Sequence, residues 1–153
     1  MKSVNGSLKS VSEIRNQKTG NGNYVRTFRD LRVYQNLYKA QVIVLKDILP
    51  RLPKEEQFDL VSQMRRGCKA PPARIAEAFA QRYQPKQWRK SIDDTLGECY
   101  EMQNHLSVCI DIYGKFLDVS LCEELIDMYD LSCAQLTKLR NNWRVFHQRI
   151  GVK

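Results

Sequence analysis

No stretch of this chain alternates apolar and polar residues over strand length, and no apolar run approaches the ~20 residues that a membrane-crossing helix needs. A β-sheet architecture and a transmembrane helix are both unexpected. The five cysteines, at positions 68, 99, 109, 122 and 133, are odd in number and never spaced as C-x-x-C. Most fall within apolar helical patterns, which assigns them as small, reduced core residues. The N-terminus has lysines but neither an apolar h-region nor a small-residue cleavage site, so a cytoplasmic location is expected. Signatures of catalysis are missing as well: there is no P-loop and no G-x-S-x-G elbow. Asp93 and Asp94 are adjacent, so on a helix they point about 100° apart and do not converge on one proton or metal. His105 and Cys109, four residues apart with Asp111 beyond, supply the edge of a metal site, whereas structural zinc takes four ligands. The expectation is a protein that is not an enzyme and holds no cofactor or metal.

What the chain has in quantity is charge, unevenly placed. The net charge is +8, yet residues 91–137 hold ten acids and one base, while residues 51–90 hold ten bases and four acids. Residues 138–153 add five bases and no acid. Such a chain folds with opposite poles, and the basic one suits a polyanion or an acidic neighbour.

Helical periodicity organises nearly everything after a polar tail at 1–23, where apolar residues are too sparse to offset chain entropy. A bundle domain is expected over 24–150. Its first helix runs from about Phe28 to Leu49, with Leu31, Tyr34, Tyr38, Val42, Leu45 and Leu49 on one stripe and Ile43, Val44 and Ile48 off it. A helix apolar on two faces meets a second partner, which in a chain this small means an oligomer. Pro50 and Pro53 close that helix, and Glu55, Glu56 and Asp59 favour the positive end of the next. From Asp59 to Tyr83 the pattern reads as two half-helices joined at a corner. Pro71 and Pro72 deprive the carbonyls of Gly67 and Cys68 of donors and push Ala70 out of the α region, so a bend or break is expected there. Gln84-Pro85 opens a third helix that ends at Tyr113-Gly114, with Trp88, Ile92, Leu96, Cys99, Gln103, Leu106, Ile110 and Tyr113 on its stripe. A fourth spans about Ser120 to His147 on Leu121, Leu125, Met128, Ser132, Leu136, Leu139, Trp143 and Phe146. Four such helices with short connections make an all-α, up-down-up-down four-helix bundle with a kinked second helix.

Around the proline corner stand Arg65, Arg66, Lys69 and Arg74, followed by Arg82, Lys86, Arg89 and Lys90, with Arg140 and Arg144 behind them near the C-terminus. These are the candidate nucleic-acid contacts, for RNA, DNA or both, because cations on phosphates release counterions without reading bases. Base-reading equipment is not present: no RNP aromatics, no C2H2 pattern, no KH loop. Tyr83 and Trp88 offer rings for stacking, but Trp88 falls on the core stripe. Glu77 is expected to pair with Arg74 or Lys69, and Arg66 to bond the carbonyls freed by the prolines.

Leu31–Val33–Tyr34–Gln35, Leu52-Pro53-Lys54-Glu55-Glu56, Leu60, Gln63, Arg65-Arg66, the proline corner, Ile75-Ala76-Glu77 and Leu96-Gly97 resemble, in order and spacing, the four-helix-bundle proteins encoded in intervening sequences of bacterial large-subunit rRNA genes. The likeness covers about residues 28–140. That family is grouped with the accessory variability proteins of diversity-generating retroelements. The resemblance therefore implies a ring-shaped homopentamer with a basic surface that binds nucleic acid and a reverse transcriptase. The alternative it implies is a self-assembling structural protein of the intervening-sequence type. The corner departs from the family's Ser-Ile-Pro-x-Asn-Ile-Ala-Glu-Gly by carrying Arg74 for the Asn and Ala78 for the last Gly, which adds a cation.

Overall fold

The computed structural model describes residues 25–142. The expected tail at 1–23, and Trp143, Arg144, Phe146 and Arg149, lie outside the described residues. Four helices account for most of the described chain: α1 Arg32–Ile43, α2 Leu60–Ala80, α3 Pro85–Tyr113 and α4 Val119–Asn141. Each packs on its neighbours in sequence, and α1 also packs on α4, so α1 and α3 occupy opposite corners. Three cross-links show the up-down-up-down order: Asn36 Nδ2 donates to Gln135 Oε1 at 3.0 Å, the Cys109 thiol meets Met64 Sδ at 3.6 Å, and Arg140 Nε lies 2.7 Å from Asp93 Oδ1. No strand forms among the described residues, and no described helix is long and apolar enough to cross a membrane.

The first helix turns out differently from its pattern. A capping box, Thr27 with Asp30, starts a short 3-10 turn, Phe28–Asp30, and α1 begins after Leu31. Beyond Ile43 the chain widens into a π-helical turn, Val44–Ile48, then tightens through Leu49–Arg51. Val33, Leu37, Ala40, Ile43, Val44 and Ile48 are buried, whereas Tyr38 is 51% exposed and Tyr34 and Val42 are half-buried. The expected stripe and its off-stripe residues have largely exchanged places, with only Leu31 and Leu49 buried as expected. The tyrosine hydroxyls need water or a partner, while the aliphatic stripe does not. The widened turn brings Val44 and Ile48 onto the core side of the helix. The second apolar face is real, but it is the tyrosine face.

The second helix is likewise not two halves. It runs unbroken from Leu60 to Ala80 with Pro71 and Pro72 inside it, both rings buried. Two helical hydrogen bonds are forgone, and burial of both rings against the core offsets the loss. Gly67 explains how closely α2 approaches α3: a Cβ there would stand 2.7 Å from Met102 Sδ, and Met102 is fully buried. Gly97, by contrast, faces open space in mid-helix. Gly97→Ala should therefore stabilise the protein by about 1 kcal/mol through helix propensity alone. The same change at Gly67 should gain less or destabilise. Urea midpoints of the two variants check this, and equal gains would contradict the close approach at Gly67.

The third helix has the expected ends, with Pro85 at its first position and Gly114 just past it. Trp88, Ile92, Cys99 and Leu106 are buried as its stripe requires, with Leu96, Ile110 and Tyr113 packed on the shoulder. In α4 the core face is Cys122, Leu125, Met128, Tyr129, Ser132, Cys133 and Leu136. All five cysteines are free thiols and buried. Burial pushes Cys68 up to about 11 and Cys109 up to about 12, which keeps both protonated at neutral pH.

Candidate nucleic-acid interface

Of the ten cations singled out in the sequence, the nine among the described residues divide into separate groups. Arg65, Arg66 and Lys69 project from the outer side of α2, all exposed, and make no ion pair among the described residues. Lys86 and Arg89, also exposed and without an ion pair among those residues, sit on the first turns of α3. At 1.5 Å per residue, the level of Lys69 lies about 20 Å along the bundle from that of Arg89. Between the two groups stands Arg74, which is taken. Its Nη2 donates to Glu98 Oε1 at 3.2 Å, and its Nη1 lies 4.0 Å from Asp94 Oδ2. The cation gained by replacing the family's Asn thus bridges α2 to α3.

Lys90 and Arg140 are also engaged within the chain. Lys90 Nζ donates to Asp94 Oδ2 at 2.7 Å, and this bond, foremost, holds the Asp94 carboxyl below its ordinary value. Arg140 pairs with Asp93, so three of the ten cations meet the acids of early α3. Arg82 closes the end of α2: Nη1 donates to the Phe79 carbonyl at 2.9 Å, Nη2 to Tyr83 Oη at 3.0 Å, and the guanidinium covers both rings. A cation there also suits the negative end of the helix. Glu77 makes no ion pair among the described residues, because Arg74 turns across to α3 instead of back along its own helix. Arg66 bonds no freed carbonyl among them either. Trp88 is core, at 1% exposure. Arg144 lies outside the described residues.

Two groups at the Lys86–Arg89 end escaped the sequence reading. Exposed Arg26 and Arg29 belong to the segment before α1, which packs on α2, and Arg29 lies 4.6 Å from the centre of the Phe28 ring. Their charge was legible in the sequence, but their placement beside the α2–α3 turn follows only from the antiparallel order of α1 and α2. At the other end of the bundle lies an acidic groove between α2 and α3, of about 360 Å³, lined by Glu56, Asp59, Leu60, Gln63, His105 and Ile112 among others. Glu56 carries much of its structure: one oxygen accepts from the Leu60 N–H at 3.3 Å, capping α2, and the other from the Tyr113 hydroxyl. That explains the last Glu of the Leu52–Glu56 motif.

The Glu56 carboxylate pushes Tyr113 up to about 12 from 10.0. A raised value means the folded chain holds this proton more tightly, so the contribution is complete below about pH 10 and lost as pH climbs through about 12. In a tyrosinate absorbance titration, Tyr113→Phe should remove a component near pH 12. A difference curve centred on 10 would show that the tie does not form in solution.

His105 Nε2 lies 3.4 Å from Glu101 Oε1, and Cys109 is turned to Met64. Among the described residues no three His, Cys, Asp or Glu side chains gather as a metal site. The arrangement is that of an antiparallel helical bundle with a partly neutralised basic side and an acidic groove. Over residues 29–138 the chain matches the 23S rRNA-intervening sequence protein family, and it belongs to that family. No curated protein and no solved structure matches it.

Proposed function

We propose that this protein is a non-catalytic, self-assembling structural bundle of the intervening-sequence type, whose unpaired cations meet the acidic surface of the next copy. One observation carries the reading. Among the described residues Arg65, Arg66 and Lys69 make no ion pair, while Glu56 and Asp59 line a groove with no Lys or Arg among its lining residues, and Glu101 stands beside His105 at its edge. Opposite, unmatched charges on one molecule favour association of copies.

A second reading is favoured by the end of the bundle, where Arg26, Arg29, Lys86 and Arg89 stand exposed together with the rings of Phe28 and Tyr83 nearby in sequence. Such an end suits RNA phosphates, as in an accessory variability protein that assembles as a ring of five and serves a reverse transcriptase and its template RNA. Light-scattering mass with and without a structured RNA, at low and moderate salt, separates the two. The structural reading expects an oligomer that loosens in salt and whose mass RNA leaves unchanged. RNA mass gained at low salt and lost at moderate salt would replace it with the accessory reading, and a monomer under all conditions would contradict both.

A further inference from the structure

Two apolar strips of the bundle are exposed in part. The first is the tyrosine face of α1: Tyr34 and Tyr38 stack with ring centres 5.9 Å apart, and Val42 continues the line. Asn36 points from the other side of α1 toward α4, so this face opens on the side toward α2, where Arg65 and Lys69 are exposed. The second is the wall of the acidic groove, where Val108 and Ile112 of α3 are 36% and 63% exposed; Phe58, 91% exposed, is the chain neighbour of the lining residue Asp59. Glu56 and Asp59 line this groove, and Glu101 lies on the same side of α3.

We propose that the tyrosine face of one copy docks into the acidic α2–α3 groove of the next, head to tail. The inference rests on the self-assembly reading and assigns its surfaces. Each face pairs an apolar strip with charge of one sign, and the signs are opposite. Tyr34, Tyr38 and Val42 meet Val108, Ile112 and Phe58, while Arg65 and Lys69 meet Glu56, Asp59 and Glu101. The contact is heterologous, so every copy keeps one face of each kind for a further neighbour.

The test uses two variants of the full chain, Tyr38→Glu and Ile112→Glu, each at an exposed position. Each alone should keep wild-type helicity by circular dichroism and fall to monomer mass in light scattering. Mixed in equal amounts they should form dimers, because the intact groove of the first still receives the intact tyrosine face of the second, and growth stops there. If either variant loses helicity, the milder Tyr38→Gln and Ile112→Gln pair repeats the measurement. An oligomer that survives either change, or a mixture that stays monomeric, overturns this assignment of surfaces while leaving self-assembly standing. A monomeric wild-type protein overturns both.

Discussion

Trp88→Ala should cost about 3–5 kcal/mol of folding stability, the largest effect expected from any single change in this chain. The indole is 1% exposed and sits in the first turns of α3, where the backbone N–H of Trp88 donates to the Gln84 carbonyl at 2.9 Å. It is the largest fully buried side chain among the described residues and lies near the end of the bundle where α2 turns into α3. Truncation removes its apolar contacts and leaves a void that neighbouring helices, held by Arg74–Glu98 and Arg140–Asp93, fill only in part. For a domain whose whole stability is about 5–15 kcal/mol, that loss is a large fraction. A fall in melting temperature on the order of 10–20 °C is expected. Thermal unfolding followed by circular dichroism measures it, with Tyr100→Ala as a control expected to stay within about 0.5 kcal/mol because Tyr100 is 58% exposed. Equal behaviour of the two variants would remove Trp88 from the core.

The same residue shows why some of this fold could be read from the sequence. Trp88 follows Gln84-Pro85 at the spacing that opens a helix, and its apolar stripe runs uninterrupted by a rival. Helix α3 consequently begins and ends where proline and glycine say it does. On α1 two stripes compete. Residues 31, 34, 38, 42, 45 and 49 and residues 33, 37, 40, 44 and 48 are both apolar at helical spacing, so period alone does not choose between them. The choice is made by hydroxyls that favour the surface and by a π-helical turn that no local propensity announces. At Pro71 and Pro72 the expected alternative of a break does not form. A local rule that usually ends a helix was overridden because both rings found buried sites within a helix supported on either side.

The candidate site was legible as composition and hidden as geometry. Each cation could be named from the chain, but whether it is available depends on acids far away in sequence. Arg74 is neutralised by Glu98, 24 residues on, and Arg140 by Asp93 across the bundle. The deciding acids belong to the same acidic block that gave residues 91–137 their negative balance. Charge counted by segment thus identified both parties without showing which pairs close within one chain.

The pairs left open set the second large effect. Reversing Arg65, Arg66 and Lys69 together to glutamate should reduce the assembly to monomers at micromolar protein, with helicity unchanged. The folded chain loses little, because all three side chains are exposed and make no ion pair among the described residues. The interface loses much, because the reversal places like charges opposite Glu56, Asp59 and Glu101, and such juxtapositions cost several kcal/mol. Wild-type protein brought to about 1 M salt, where the screening length is about 3 Å, should move part of the way in the same direction and keep whatever the apolar strips supply. Reversing Lys86 and Arg89 instead should leave the mass alone, since the self-assembly contact does not reach that end of the bundle. Light scattering on the two variants therefore locates the use of each cation group. A triple variant that still assembles would show that the α2 cations are not spent between copies. If that variant also failed to hold RNA that the wild type holds, the α2 cations would belong to the phosphate surface and the accessory reading would take their place.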